Sequence, residues 1–293
     1  MPTILVDDPR DPRLSPYLNL KDRDVRRERG LFLAESEHVV RRAFEAGLRV
    51  RSVLVVESKA DRVRAMAEAS GLEDVEVLAC AKEVMAQAAG IKLHQGMIAA
   101  VEPAAEASWE SLQASESSGS SLEVLVVCPE ITNVDNLGLL IRVCAGLGVR
   151  AMVLGPRCAD PWYRRAVRVS MGAVFTMPLI RSTDLETDLD RLRAAGYEQI
   201  ATVTDADAQE LREVAPGVGA GRRQAILVGS EGYGLPTDLV ARCDRKVRIP
   251  MHHDVDSLNV AVATGIVIHH FTSPPRAGSG RPGTDRGIAG RGE

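Results

Sequence analysis

The chain has 293 residues, of which 45% are hydrophobic and 3% aromatic, and its formal net charge is −4 at pH 7. That length allows two ordinary domains, and a core so poor in rings must come from Val, Leu, Ile and Ala, the composition of buried parallel strands under helices. The negative balance excludes a chain that binds nucleic acid through its overall charge, but leaves open binding through local basic patches.

Met1 to Asp8 carries neither a basic leader nor a long apolar run, and no later stretch is long enough to cross a bilayer, so the expectation is a cytoplasmic protein with no membrane partner. Phe32–Glu35 reads as a short strand after a turn at Gly30, and residues 37–46 as a helix with Val39, Val40, Ala43 and Phe44 on one stripe. Val50–Val56 reads as a strand, Ala60–Ala69 as a helix, residues 75–80 as a strand, 81–89 as a helix and 95–101 as a last strand. This alternation predicts a small α/β sandwich domain over residues 1–102. Residues 103–121 are rich in Ser, Glu and Ala and read as a linker with room for a short helix near Trp109.

A second unit, residues 122–273, opens on a buried strand at 124–128, followed by a helix at 137–147 and a strand at Ala151–Leu154. Asp160 and Pro161 then read as the N-cap and first position of a helix. A helix at 184–194, strands at 199–203 and 225–228, a short helix at 236–241, a strand at 247–250 and a final helix at 257–270 complete a doubly wound α/β pattern. The tail, residues 274–293, is Gly, Pro and Arg and is expected to be disordered, with an RNA-contacting arm as the alternative. Cys80, Cys128, Cys144, Cys158 and Cys243 are dispersed and show no CxxC spacing, so they read as small buried hydrophobes in a reducing compartment.

Three strand-to-helix junctions carry small and polar residues, where an α/β protein places its chemistry. The first runs Asn133-Val134-Asp135-Asn136-Leu137-Gly138 and on to Arg142. Asn136 is expected to cap the helix start, and Gly138, one turn before Arg142 on the same face, leaves room for a flat substrate to reach the guanidinium. A solvated surface arginine is the alternative. The second runs Gly229-Ser230-Glu231-Gly232-Tyr233-Gly234-Leu235-Pro236. Its GxxGxG spacing, with no Lys-Ser/Thr after it, fits neither a dinucleotide fingerprint nor a P-loop. Its glycines let backbone approach a ligand, and Glu231 supplies one carboxylate, the alternative being a plain tight turn. The third runs from Ile249-Pro250-Met251 to Ser257-Leu258-Asn259-Val260, with Ser257 as N-cap and Asn259 in the first turn, either satisfying backbone groups or meeting a ligand. The intervening His252-His253-Asp254 does not read as a metal site, because adjacent side chains point opposite ways and no other His or Cys cluster lies nearby.

These three motifs, in this order, resemble those of the SpoU (TrmH-type) branch of the SPOUT RNA methyltransferases. The resemblance covers residues 123–272, including Asp160-Pro161 and Arg168 to Ala173, and Phe32 to Glu35 with Gln95-Gly96 resembles the L30e-like substrate-binding domain of the rRNA-type enzymes. It implies an α/β fold with a C-terminal trefoil knot, a homodimer with the active site at its interface, S-adenosylmethionine as methyl donor, no metal, and methylation of a ribose 2′-hydroxyl in RNA, rRNA rather than tRNA. It places Gly229, Ile249 and Leu258 at the donor, and Asn136, Arg142, Glu231, Ser257 and Asn259 in the polar catalytic set. Val134 departs from a frequent proline, His253 from a common glycine and Ala261 from a frequent serine. Arg164, Arg165 and Arg168 are candidates for docking RNA; Arg23, Arg26, Arg27 and Arg29 alternate with acids and read equally as a solvated, salt-laced surface. A tRNA enzyme and a non-catalytic RNA-binding or ribosome-assembly factor on the same fold are the alternatives. An open-sheet metabolic enzyme is disfavoured, because no phosphate loop follows the first strand.

Overall fold

A computed structural model of the chain describes residues 3–18, 22–72, 74–89, 96–114, 122–215 and 222–272. The first part holds strands β1 (Thr3–Leu5), β2 (Phe32–Glu35), β3 (Val50–Val56), β4 (Glu76–Cys80) and β5 (Met97–Val101) and helices α1 (Asp22–Arg29), α2 (Glu37–Glu45), α3 (Ala60–Ala69) and α4 (Lys82–Ala89). Its sheet order is β1-β4-β3-β5-β2, with β5 antiparallel to both neighbours. Side chains alternate as the pleat requires: Val53 and Val55 of β3 face α2 and α3, while Leu54 and Val56 face a second cluster with Leu14, Tyr17 and Val25. Strand β1 and helix α1 are not foreseen from sequence; three residues are too few for a periodicity, and α1 is almost wholly charged.

Helix α5 (Trp109–Ala114) follows, then β6 (Glu123–Cys128), α6 (Val134–Gly146), β7 (Ala151–Leu154), α7 (Arg164–Val169), β8 (Leu179–Arg181), α8 (Leu185–Ala194), β9 (Tyr197–Thr202), β10 (Gln209–Glu210), β11 (Arg223–Leu227), α9 (Thr237–Arg242), β12 (Arg245–Arg248) and α10 (Val260–Thr272). Their seven strands form one parallel sheet in the order β10-β12-β9-β11-β6-β7-β8. Strand β11 inserts between β6 and β9, so the order reverses at β6, where β7 lies on one side and β11 on the other. Both faces of the central β6 and β7 are covered, which is why they read as near-continuous apolar runs, whereas β10 and β12 toward one edge are polar. Val124, Val126 and Cys128 point to one core, Leu125 and Val127 to the other.

The segment before β6 is packed rather than free: Ala107 N–H donates to the Leu179 carbonyl at 2.9 Å, and Leu112 of α5 is buried. Residues 115–121 and the tail lie outside the described residues. Two helix starts are corrected. Asp160 and Pro161 do not open a helix; Asp160 Oδ1 accepts from Trp162 N at 2.9 Å in a turn, its Oδ2 meets Arg26 Nε at 3.2 Å, and α7 begins only after Tyr163. Helix α10 begins at Val260, not Ser257.

The two sheets share one core. Phe32 of β2 lies 4.9 Å from the Trp162 ring and 5.7 Å from Phe175, centroid to centroid. Around this aromatic group, Arg42 Nη1 donates to the Met171 carbonyl at 2.9 Å and Arg168 stands 3.8 Å from Glu35.

Candidate functional site

Helix α6 begins one turn earlier than its apolar pattern implies. Asn133, not Asn136, is the N-cap: its Oδ1 accepts from Asp135 N at 2.9 Å and Asn136 N at 3.3 Å. Asn136 is thereby left free to turn its amide outward. Its Nδ2 donates to Glu231 Oε1 at 2.5 Å, and its Oδ1 accepts from Asn259 Nδ2 at 2.8 Å. Asn259 in turn takes the capping place expected of Ser257, its Oδ1 accepting from Ala261 N at 3.0 Å. One continuous chain of hydrogen bonds thus ties the three junctions together across sequence separations of 95 and 123 residues.

The loop that carries Glu231 is a compact turn. Ser230 and Gly234 exchange backbone bonds of 3.0 and 3.1 Å. A Cβ on Gly229 would come within 2.4 Å of the Gly234 carbonyl carbon and 2.6 Å of Leu235 N. This glycine is therefore demanded by the loop folding back on itself, a nearer constraint than the approach of a ligand. Gly138 is also corrected: a Cβ there would lie 2.8 Å from the Ala166 carbonyl oxygen of α7. It serves close packing of α6 on α7 and opens no path to Arg142.

The three loops and the segment after β9 surround a cleft of about 1130 Å³ at the carboxyl ends of β9, β11 and β12. Asn136, Gly229, Glu231, Ile249, Ser257, Leu258 and Asn259 all line it. Apolar walls come from Leu235, Val247, Ile249, Leu258 and Val260; carboxylates come from Asp205, Glu231 and Asp244. Sequence reading missed Thr202 to Asp205 and Tyr233. The first group was reachable, since the loop after a parallel strand's carboxyl end is the ordinary place for a ligand.

Four candidates lie outside this lining. Arg142 is exposed on α6, beyond the residues that line its own chain's cleft. Arg164, Arg165 and Arg168 sit on α7; Arg165 is paired with Asp135 and Arg168 with Glu35, whereas Arg164 has no acidic partner among the described residues. The His252-His253 segment is exposed, and His253 and Asp254 hold left-handed φ of 58° and 55°. Among the described residues no group of three or more His, Cys, Asp or Glu is placed to hold a metal ion, and no helix is long and apolar enough to cross a membrane.

The profile of the SpoU rRNA methylase family matches residues 123–269, which hold this entire cleft. The chain belongs to that family. The profile of an MRM3-like substrate-binding domain matches residues 12–99. An uncharacterized tRNA/rRNA methyltransferase of Mycobacterium bovis is 34% identical over 271 residues, 91% of each chain. The 23S rRNA (guanosine-2′-O-)-methyltransferase RlmB of a Burkholderia species is 30% identical over 207 residues, 71% of this chain and 81% of that one. Among solved structures, an AdoMet-bound rRNA methyltransferase from Sinorhizobium meliloti superposes with a TM-score of 0.76 at 25% identity, over 92% of this chain and 97% of that one. The SpoU methyltransferase AviRb of Streptomyces viridochromogenes shares the fold at 22% identity, with a TM-score of 0.71 over 90% and 97% of the two chains. The protein is thus an RNA methyltransferase of the SpoU family, with the two-sheet SPOUT architecture.

Proposed function

We propose that the protein transfers a methyl group from S-adenosylmethionine to a ribose 2′-hydroxyl of RNA, in rRNA rather than tRNA. The observation that carries this reading is the Ala261–Asn259–Asn136–Glu231 hydrogen-bonded chain, which closes all three family motifs over one cleft. The rRNA assignment is supported by the relative named as a 23S rRNA 2′-O-methyltransferase and by the substrate-binding-domain match at residues 12–99. The division into a substrate domain (1–102), linker (103–121), catalytic domain (122–273) and tail (274–293), a trefoil knot in the catalytic domain and a cytoplasmic location belong to the same reading.

The cleft's chemistry fits the donor. Aliphatic walls from Leu235, Ile249 and Leu258 suit a flat heteroaromatic ring, and the carboxylates of Glu231 and Asp205 suit a cationic centre. Gly229, Ile249 and Leu258 would hold it, and about 1130 Å³ exceeds the roughly 300–1,000 Å³ of an ordinary small-molecule site, leaving room for a nucleotide as well. Bound there, S-adenosylmethionine supplies an electrophilic methyl group on a cationic sulfur. The chain's own residues must align the 2′-oxygen and stabilise the charge it gains as its proton leaves. Asn136, Glu231, Ser257 and Asn259 orient the loops and the ribose. A guanidinium is almost never neutral, so Arg142 acts as the electrostatic stabiliser of the developing alkoxide.

Arg142 does so from the partner of a homodimer. It shares a face of α6 with Leu139, and the neighbouring α10 presents Val262 and Ile266, an apolar surface of three side chains 38%, 53% and 40% exposed. Pairing of two such faces would carry each Arg142 to the other chain's cleft. Arg142→Ala is expected to lower methyl transfer to unmodified rRNA transcripts by at least about 10²-fold, with the donor affinity measured by isothermal titration kept. Loss of donor binding would make Arg142 structural. Mapping ribose methylation in total RNA from a deletion strain tests the substrate: a missing mark confined to tRNA would move the assignment there.

A further inference from the structure

We propose that Tyr233 is a stacking platform for an unpaired base beside the nucleotide being methylated; this rests on the RNA methyltransferase reading above. The ring is 96% exposed, in a chain whose aromatic content is 3%. Tyr17 and Tyr197 behave oppositely: each is at most 6% exposed and its hydroxyl is bonded, to Ser52 at 2.6 Å and to Glu123 at 2.8 Å. Tyr233 lines the cleft, two residues after Glu231. Its turn is pinned, by the paired Ser230–Gly234 backbone bonds, by the collision that keeps residue 229 a glycine, and by Asn136 holding Glu231. A bare ring on a fixed mount costs little ordering entropy when a flat partner covers it.

The charges around it select a base over a phosphate. Asp205 and Glu231 line the same cleft, and its cations are already occupied, Arg245 by Glu198 at 2.9 Å and Lys246 by Asp207 at 2.8 Å. A phosphate beside Tyr233 would meet carboxylates and, among the described residues of the same chain that line the cleft, only cations already paired, whereas the neutral face of a base meets a ring. Bases can stack on protein side chains only where they are unpaired, so the target lies in a loop, bulge or single strand.

The test measures transfer of labelled methyl from S-adenosylmethionine to unmodified rRNA and tRNA transcripts by wild type, Tyr233→Ala and Tyr233→Phe, with donor affinity by isothermal titration and oligomeric state by sedimentation. Stacking on an aromatic side chain is worth ~1–3 kcal/mol per base, so Tyr233→Ala should raise the KM for RNA by between about 5-fold and about 140-fold, with kcat, donor affinity and oligomeric state kept. Tyr233→Phe keeps the ring and should raise KM by less than about 3-fold on the same stacking argument. An unchanged KM in Tyr233→Ala, equal damage in Tyr233→Phe, or a change in donor affinity or oligomeric state would each overturn the stacking role while leaving the methyltransferase reading intact. A wild-type protein that methylates neither RNA class would remove that reading, and this role with it.

Discussion

Asn136 uses both ends of its amide, donating to Glu231 and accepting from Asn259. An aspartate would set a second negative charge against Glu231, and a leucine would take away the donor to Glu231 and the acceptor of Asn259 Nδ2. His253 is the opposite case, a side chain carried on a backbone conformation that favours glycine. Its φ of 58° is in the left-handed region, where an L side chain costs ~1–2 kcal/mol, and the family resemblance puts glycine at this position. His253→Gly should therefore stabilise the protein by about 0.5–1 kcal/mol once the glycine's greater unfolded-state entropy is subtracted. A urea titration reads this as a higher midpoint at unchanged slope; a lower midpoint would mean that His253 makes contacts worth more than its strain.

At the scale of elements, the amino-terminal edge of β6, β9 and β11 gathers Glu123, Tyr197, Arg150 and Arg223. Glu123 accepts from Tyr197 at 2.8 Å and is paired with Arg150 and Arg223. Burial, and then the hydrogen bond to this carboxylate, push the Tyr197 phenol up to about 12. Burial pushes the Tyr17 phenol up as well. A proton held more tightly in the folded state contributes stability that is complete below the unfolded pKa of about 10 and is lost as pH rises through the folded value. Urea midpoints should thus fall between about pH 10 and pH 12, and Tyr197→Phe should flatten that fall. An unaltered slope in the variant would exclude Tyr197 as its source. The thiols follow the same rule: burial lifts Cys80 and Cys243 to about 11, and raises Cys128, Cys144 and Cys158.

For the whole molecule, the shared aromatic core and the arginines that cross between the sheets set the first sheet at a fixed place beside α7. On the proposed reading, a substrate docked on the first part is presented to the second across this fixed contact. The proposed catalysis across a dimer has a sharp consequence. Arg142→Ala and Glu231→Ala proteins, each inactive, should regain activity when mixed and allowed to exchange subunits. In a heterodimer one site carries both defects and the other neither, so a random mixture should reach about a quarter of wild-type activity. No recovery, with exchange confirmed by mass spectrometry, would place Arg142 and Glu231 in the same chain's site.

What was legible in the sequence is local. Glycine, asparagine and proline at a strand's end mark a junction through their own backbone preferences, so the loops at 133–138, 229–236 and 249–260 and the strands before them could be read without a fold. The apolar runs at 124–128, 151–154 and 225–228, within or at the ends of β6, β7 and β11, declared a parallel sheet for the same reason, since both of their faces are buried. Which residue does what at each junction was decided only in three dimensions. Asn133 rather than Asn136 caps α6, Asn259 rather than Ser257 opens α10, Gly138 serves α7, and Asp160 answers Arg26 from the other sheet. Each of these choices sets one hydrogen bond or one packing contact against another of similar free energy. The balance is tipped by partners as many as 134 positions away, which only the folded chain brings within reach.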